Sequence, residues 1–188
     1  RTIARCAKEL VEEGDTIYID SGSTLHMFAQ EIKHMNLQVV TNSIDVLVEL
    51  SDAEEITLFS LGGSYRKDAG SFIGPVTIEA LKHFQIGTAF LGTTGFSARG
   101  VFSSQNIIEG QVKSQVIRSS ERRVMLADSS KYKHKAFSIF ARQGDIDILV
   151  TDGGFTDIDV FRSMGIEVLI ADRINMNTQD QRKRSYDQ

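Results

Sequence analysis

An α/β fold, a mainly parallel open sheet with helices on both faces, is what this sequence predicts. Short runs rich in β-branched residues alternate with segments whose apolar residues recur at helical spacing. Most of those runs end in a break of Gly, Ser, Thr or Asn, as expected of βαβ units. The composition suits one globular domain of 188 residues, with 41% hydrophobic and 24% charged residues.

The opening segment sets Ile3, Cys6, Ala7, Leu10 and Val11 on one helix face and stops at Gly14-Asp15. Thr16 to Ile19 reads as a strand, Ser21-Gly22-Ser23-Thr24 breaks it, and Leu25, Phe28, Ala29 and Ile32 mark a second amphipathic helix. Gln38 to Val40 is the next strand, Thr41-Asn42-Ser43 the next break, and Ile44, Leu47 and Val48 the next helix face. Ile56 to Leu61 is a strand ending at Gly62-Gly63. Pro75, the only proline, suits the first turn of a helix carrying Val76, Ala80, Leu81 and Phe84. Thr88 to Leu91 is a buried strand running into Gly92-Thr93-Thr94-Gly95. A longer helix spans about Gln105 to Ser120, with Ile108, Val112 and Val116 on one side. Strands at Val124–Ala127, Ile146–Val150 and Glu167–Ile170 follow, with a helix bearing Ile158, Phe161 and Met164 between the last two. Val101-Phe102 and Phe137–Phe140 are fragments of a small extra strand subdomain.

The net charge of −4 leaves no basic surplus for nucleic-acid phosphates. Arg182-Lys183-Arg184 sits in a polar stretch, 175–188, read as a solvated tail beyond a domain covering 1–174. A single cysteine rules out an intrachain disulfide and a multi-thiolate zinc site. No apolar run reaches the roughly 20 residues that span a bilayer and no signal peptide opens the chain, so a cytoplasmic protein without a membrane partner is expected. The start at Arg1, inside a helical pattern, suggests that something upstream has been removed.

In an open parallel sheet, ligands bind beyond the carboxyl ends of the strands, so the post-strand loops carry the chemical information. Gly22 permits close backbone approach, Ser21, Ser23 and Thr24 can donate hydroxyls, and a helix N-terminus offers free N–H groups with roughly half a positive charge. That combination is an oxyanion cradle, although Ser23 or Thr24 could merely cap the helix. Thr41-Asn42, Gly63, Gly92 and Thr93 repeat the pattern after other strands. Lys131, in Asp128-Ser129-Ser130-Lys131, would supply a full positive charge. Asp20 would repel phosphate, so it is read as accepting sugar hydroxyls or bracing backbone N–H groups. Glu109 and Lys113, four apart, are either a surface ion pair or place Glu109 across the cleft from the ligand. Gly95-Phe96-Ser97-Ala98-Arg99-Gly100 is out of register for a nucleophile elbow. His26, His34, His83 and His134 lack HExxH spacing, and neither Walker A nor GxGxxG occurs. Neither metal nor cofactor is expected.

The series Asp20 to Thr24, Thr41-Asn42-Ser43, Leu61-Gly62-Gly63, Phe72-Ile73-Gly74-Pro75, Leu91 to Phe96 and Ala127 to Lys131 resembles the sensor domain of DeoR-type bacterial transcriptional repressors. The resemblance runs from about Val11 to Asp172. It implies a fold like ribose-5-phosphate isomerase and glucosamine-6-phosphate deaminase, a phosphorylated sugar as effector, assembly into homo-oligomers, and DNA binding through an N-terminal helix-turn-helix domain absent from this chain. It further implies that Ser21–Thr24 holds the phosphate with Lys131 nearby, while Thr41, Asn42, Gly63, Gly92 and Glu109 line the rest of the pocket. The related isomerases carry an Asp-Gly-Ala-Asp loop where this chain has Gly92-Thr93-Thr94-Gly95. Proton shuttling needs groups of suitable pKa, and only Glu109 is left as a base. A sensor is therefore expected, with no catalytic residue. A sugar-phosphate isomerase or deaminase is the alternative, and a translation-initiation-factor or CoA-transferase relative is a third reading.

Overall fold

The computed structural model describes residues 1–171. The expected tail at 175–188 and the domain boundary at 174 lie outside the described residues. Seven strands form one sheet: β1 (Thr16–Ile19), β2 (Leu37–Thr41), β3 (Ile56–Ser60), β6 (Ile86–Gly92), β9 (Ser120–Leu126), β11 (Ile148–Thr151) and β12 (Glu167–Ile170). Their order is β12-β11-β9-β6-β1-β2-β3 and every neighbouring pair is parallel. A hairpin of β4 (Ser64–Arg66) and β5 (Ser71–Ile73) follows β3. The fragments foreseen around Phe102 and Phe140 are strands β8 (Phe102–Ser104) and β10 (Ser138–Ala141). They join β7 (Gly95–Phe96) in a three-stranded antiparallel sheet.

Residues alternate along the central strands between two cores, as sheets covered on both faces require. Ile17, Ile19, Val39, Phe90, Val124 and Val150 pack on one face with α1 (Thr2–Lys8), α2 (Ser23–Ile32) and α3 (Ile44–Leu50). Tyr18, Val40, Leu91, Met125 and Leu149 face the other side. There α4 (Pro75–Leu81), α5 (Ile107–Arg118), α6 (Ile158–Ser163) and the small sheet cover them. Phe96, Phe102, Tyr132, Phe155 and Phe161 form one aromatic cluster on that side, with ring centroids 5.0–6.5 Å apart. Such edge and tilted contacts add roughly 0.5–1.5 kcal/mol per pair beyond area burial.

Three expected helix faces need correction. In α3 the buried residues are Val46 and Leu50, whereas Val48 is 68% exposed. Ile44, Leu47 and Val48 make an equally good stripe on paper, but a two-turn helix buries only the pair turned toward α2 and the sheet. In α4 the buried side is Thr77 and Leu81, and Val76 is exposed. In α5 Val112 and Val116 are buried as expected, but Ile108 is exposed and Lys113 is buried in its place.

Two outcomes follow from this packing. Leu50→Ala should cost about 2–5 kcal/mol in denaturant unfolding, whereas Val48→Ala should stay within about 0.5 kcal/mol. Burial, reinforced by Glu9, pushes the Cys6 thiol up to about 11. Native Cys6 should therefore react with a thiol reagent at pH 8 at least ~100-fold more slowly than in the denatured chain, whose thiol titrates near its ordinary value.

Candidate functional site

The chain runs from β1 outward to β2 and β3, then returns to place β6 on the other side of β1. This reversal leaves a crevice beyond the carboxyl ends of β1 and β6, where an open α/β sheet binds ligands. A cleft of about 660 Å³ opens there. Ser21, Gly22, Ser23 and Thr24 form one wall, Gly92, Thr93 and Thr94 the base, and Glu109 and Lys113 of α5 the far side. Lys131 stands at the rim and the β4–β5 hairpin overhangs with Arg66 and Lys67.

Eight of the residues singled out in the sequence thus share one cleft: Ser21, Gly22, Ser23, Thr24, Gly92, Thr93, Glu109 and Lys131. Gly22 is the N-cap of α2 at φ 125°, a conformation that favours glycine, and no side-chain hydrogen bond caps the helix. Neither Ser23 nor Thr24 acts as a cap, so the first-turn N–H groups of this ten-residue helix keep no intrahelical partner beside the cleft. Lys131 ends a short 3-10 turn that follows β9, and Asp128 holds that turn by accepting from the Ser130 amide. Among the described residues Lys131 makes no ion pair.

Beneath the cleft lies a buried ion pair. Asp20 accepts from the amides of Ser21 at 2.8 Å and Gly92 at 3.0 Å, and from the Lys113 ammonium. Bracing of backbone N–H groups, one of the two roles read for Asp20, is what its hydrogen bonds do. Lys113 also donates to the Gly92 carbonyl at 3.1 Å and stands 3.6 Å from Glu109. Lys113 is 3% exposed, so the reading of Glu109 and Lys113 as a surface pair is corrected. Glu109 accepts from Arg66 at 3.0 Å, which ties the hairpin to α5. Burial, with Asp20 and Glu109 adding to it, pushes the Tyr18 phenol well above its ordinary value, so it stays neutral and donates to Asn42 at 2.8 Å.

Thr41, Asn42 and Gly63 lie outside the cleft lining. Thr41 donates to the Ile19 carbonyl at 2.6 Å and accepts from the Ser43 amide. Asn42 takes the Tyr18 hydroxyl and exchanges bonds with the Phe72 backbone, so it pins the hairpin to the end of β2. Gly63, at φ 140°, has no room for a Cβ, which would come 2.8 Å from the Ile73 carbonyl and closer still to the Thr77 hydroxyl.

Sequence reading missed Arg66, Lys67, Asp45 and the buried state of Lys113. Lys113 had a signal: it sits between Val112 and Val116 on a face that turns inward. Arg66 and Lys67 had none, because the hairpin reaches the cleft only through tertiary folding.

The sequence profile of the DeoR C terminal sensor domain matches residues 1–153. The repressor GlcR of Bacillus subtilis is 30% identical over 91% of this chain and 67% of its own length. The lactose phosphotransferase system repressor of Streptococcus mutans is 34% identical over 80% and 60%. The L-fucose operon activator of Escherichia coli is 29% identical over 80% and 62%. The chain thus spans about three fifths to two thirds of these relatives. Among solved structures, ribose 5-phosphate isomerase A from Neisseria gonorrhoeae matches with TM-score 0.50 and 18% identity, over 71% of this chain and 52% of that one. The eIF2B delta subunit from Chaetomium thermophilum matches with TM-score 0.58 and 14% identity, over 79% and 53%. Both are likenesses of fold.

Removing the partner of a buried charge is costly, by about 3–5 kcal/mol. Lys113→Met should therefore lower stability by that amount in urea unfolding. Lys131→Met, at the half-exposed rim, should stay within about 0.5 kcal/mol.

Proposed function

Because the chain belongs to the family of DeoR C-terminal sensor domains, we propose that its effector is a phosphorylated sugar held in the cleft beyond β1 and β6. The whole regulator then reads that ligand through a DNA-binding part outside this chain. The observation that carries this reading is the meeting, at one rim, of an uncapped helix N-terminus, three hydroxyl side chains and an ammonium without an ion-pair partner among the described residues. Each is suited to a phosphate: the amides and hydroxyls donate, and Lys131 supplies charge that they lack.

The remaining parts have separate tasks. Glu109 faces the sugar from the far wall, where its carboxylate can accept hydrogen bonds from sugar hydroxyls, while Thr93 shapes the base with its hydroxyl spent on the Gly95 and Ser103 carbonyls. Asp20 does not meet the phosphate. Its charge is spent on Lys113 and two amides, which fix the loop that does. Thr41, Asn42 and Gly63 contribute by holding the wall and the hairpin in place.

Sensing rather than turnover fits the carboxylates. The Gly92-Thr93-Thr94-Gly95 loop has none, Asp20 is buried in its ion pair, and Glu109 is engaged by Arg66 and Lys113. A base in such a position has to break those contacts before it can accept a proton from carbon. The relatives named above are transcriptional regulators, which agrees with a chain that binds and reports. A bound sugar shifts the regulator only insofar as it binds one conformation more tightly than another.

A thermal-shift series with phosphosugars and their unphosphorylated parents tests this. At 100 times its dissociation constant a true effector should add about 2.7 kcal/mol, and its parent sugar little. Stabilisation equal for both, or by neither across the series, would remove the phosphate from the reading. Ser23→Asp should abolish the shift while the fold survives. Lys131→Ala should weaken phosphorylated ligands far more than neutral ones. Aldose and ketose phosphates should remain unconverted on incubation, and turnover lost in Glu109→Ala would instead establish an enzyme.

A further inference from the structure

The loop that carries Lys131 is fastened by residues outside the cleft. Lys131 closes the 3-10 turn Ser129–Lys131 after β9, and its four-carbon stem alone would let the ammonium wander over many rotamers. The backbone beneath it has no such freedom. The Ser129 amide donates to Asp152 at 3.0 Å, the Lys133 amide to the Phe96 carbonyl at 2.7 Å, and the Ala136 amide to the Ser103 hydroxyl at 3.0 Å. Between these ties Tyr132 sets its ring in the aromatic cluster, 5.0 Å from Phe155 and 5.3 Å from Phe96. The Lys133 ammonium stands 5.1 Å from the centroid of the same ring.

Two features of this loop run against local preference. Lys133 has φ 63°, and among the described residues it is the one position other than glycine with a left-handed backbone. Asp157 stands at the N-cap of α6, where a carboxylate ordinarily accepts from first-turn amides, yet its side chain makes no cap bond. It accepts from the Tyr132 hydroxyl through one oxygen and from the Thr156 hydroxyl, at 3.3 Å, through the other. Burial, and then the Asp157 carboxylate, push the Tyr132 phenol up to about 12, so at neutral pH it keeps its proton and donates. A strained residue and a forgone cap persist where surrounding contacts over-determine them, and strained positions of this kind gather at functional sites.

We propose that Tyr132 and Asp157 are positioning residues whose hydrogen bond holds Lys131 where its ammonium meets the phosphate of the effector. This rests on the reading of Lys131 as the cation that the phosphate meets. Neither Tyr132 nor Asp157 lines the cleft, so neither touches the ligand. They act through Lys131, by limiting where it can be before the ligand arrives, and so lower the ordering cost of binding.

Inorganic phosphate titrated into the isotope-labelled chain, followed by amide NMR shifts, tests this. Lys131→Ala should raise the phosphate dissociation constant at least ~10-fold, as expected for a lost hydrogen bond between charged groups. Tyr132→Phe, which keeps the ring and removes only the hydroxyl, should raise it roughly 5-fold, and so should Asp157→Ala. Asp157→Asn still accepts from the phenol and should bind within ~2-fold of the unaltered chain. A double variant separates positioning from a general effect on the fold. With Lys131→Ala in place, Tyr132→Phe should change phosphate binding by less than ~2-fold, because the residue it positions is gone. Equal losses from Tyr132→Phe in both backgrounds would overturn this inference and leave the phosphate reading standing. So would normal binding by Tyr132→Phe and Asp157→Ala beside a weakened Lys131→Ala. Phosphate binding that is absent, or indifferent to Lys131→Ala, would take down both.

Discussion

Asp20 and Lys113 meet inside the molecule, each nearly without solvent, and the architecture of the cleft depends on that meeting. Two charges taken out of water cost several kcal/mol each, and only good geometry with further hydrogen bonds repays them. Here the further bonds are specific. Asp20 accepts the Ser21 and Gly92 amides, and Lys113 donates to the Gly92 carbonyl. One ion pair thus fastens the ends of β1 and β6 and the middle of α5 to each other. It sits where the strand order reverses, the point at which an open parallel sheet would otherwise leave its loops unsupported.

The consequence for binding is indirect. With its carboxylate turned under the loop, Asp20 holds the chain so that Gly22 takes its positive φ and α2 begins uncapped beside the cleft. The negative charge beside the proposed anion cradle is neutralised by the Lys113 ammonium rather than turned into the cleft. A second pair, Arg66 with Glu109, does comparable work on the far wall by holding the β4–β5 hairpin over the opening. Carboxylates that serve as struts in this way are poor proton shuttles, which is the physical basis for reading the cleft as a place of recognition.

Helix α5 is where these relations converge. One side of it supplies Glu109 and Lys113 to the cleft, Val112 and Val116 reach into the core, and the third side, with Ile107, Gln111, Ser114 and Arg118, borders a groove beside β10.

Much of this was legible in the chain itself. The alternation of strand and helix patterns sufficed for the parallel sheet, and the Gly, Ser and Thr breaks after strands marked the edge where Ser21–Thr24, Gly92, Thr93 and Lys131 gather. These are local signals, written within a few residues by φ requirements and hydrophobic period. What only the tertiary structure decided was which of several plausible partners each side chain takes. Val48 and Ile108 had the right spacing for a core and ended outside it. Lys113 was polar and ended within it. Thr41, Asn42 and Gly63 shared the motif pattern but stand behind the wall, and Arg66 reached the cleft from a hairpin strand, β4, that carries none of the motif residues. The reason is physical: periodicity fixes which residues share a face, but burial and ion pairing depend on the element that covers that face, and contacts such as Asp20 with Lys113 join residues 93 apart in the sequence.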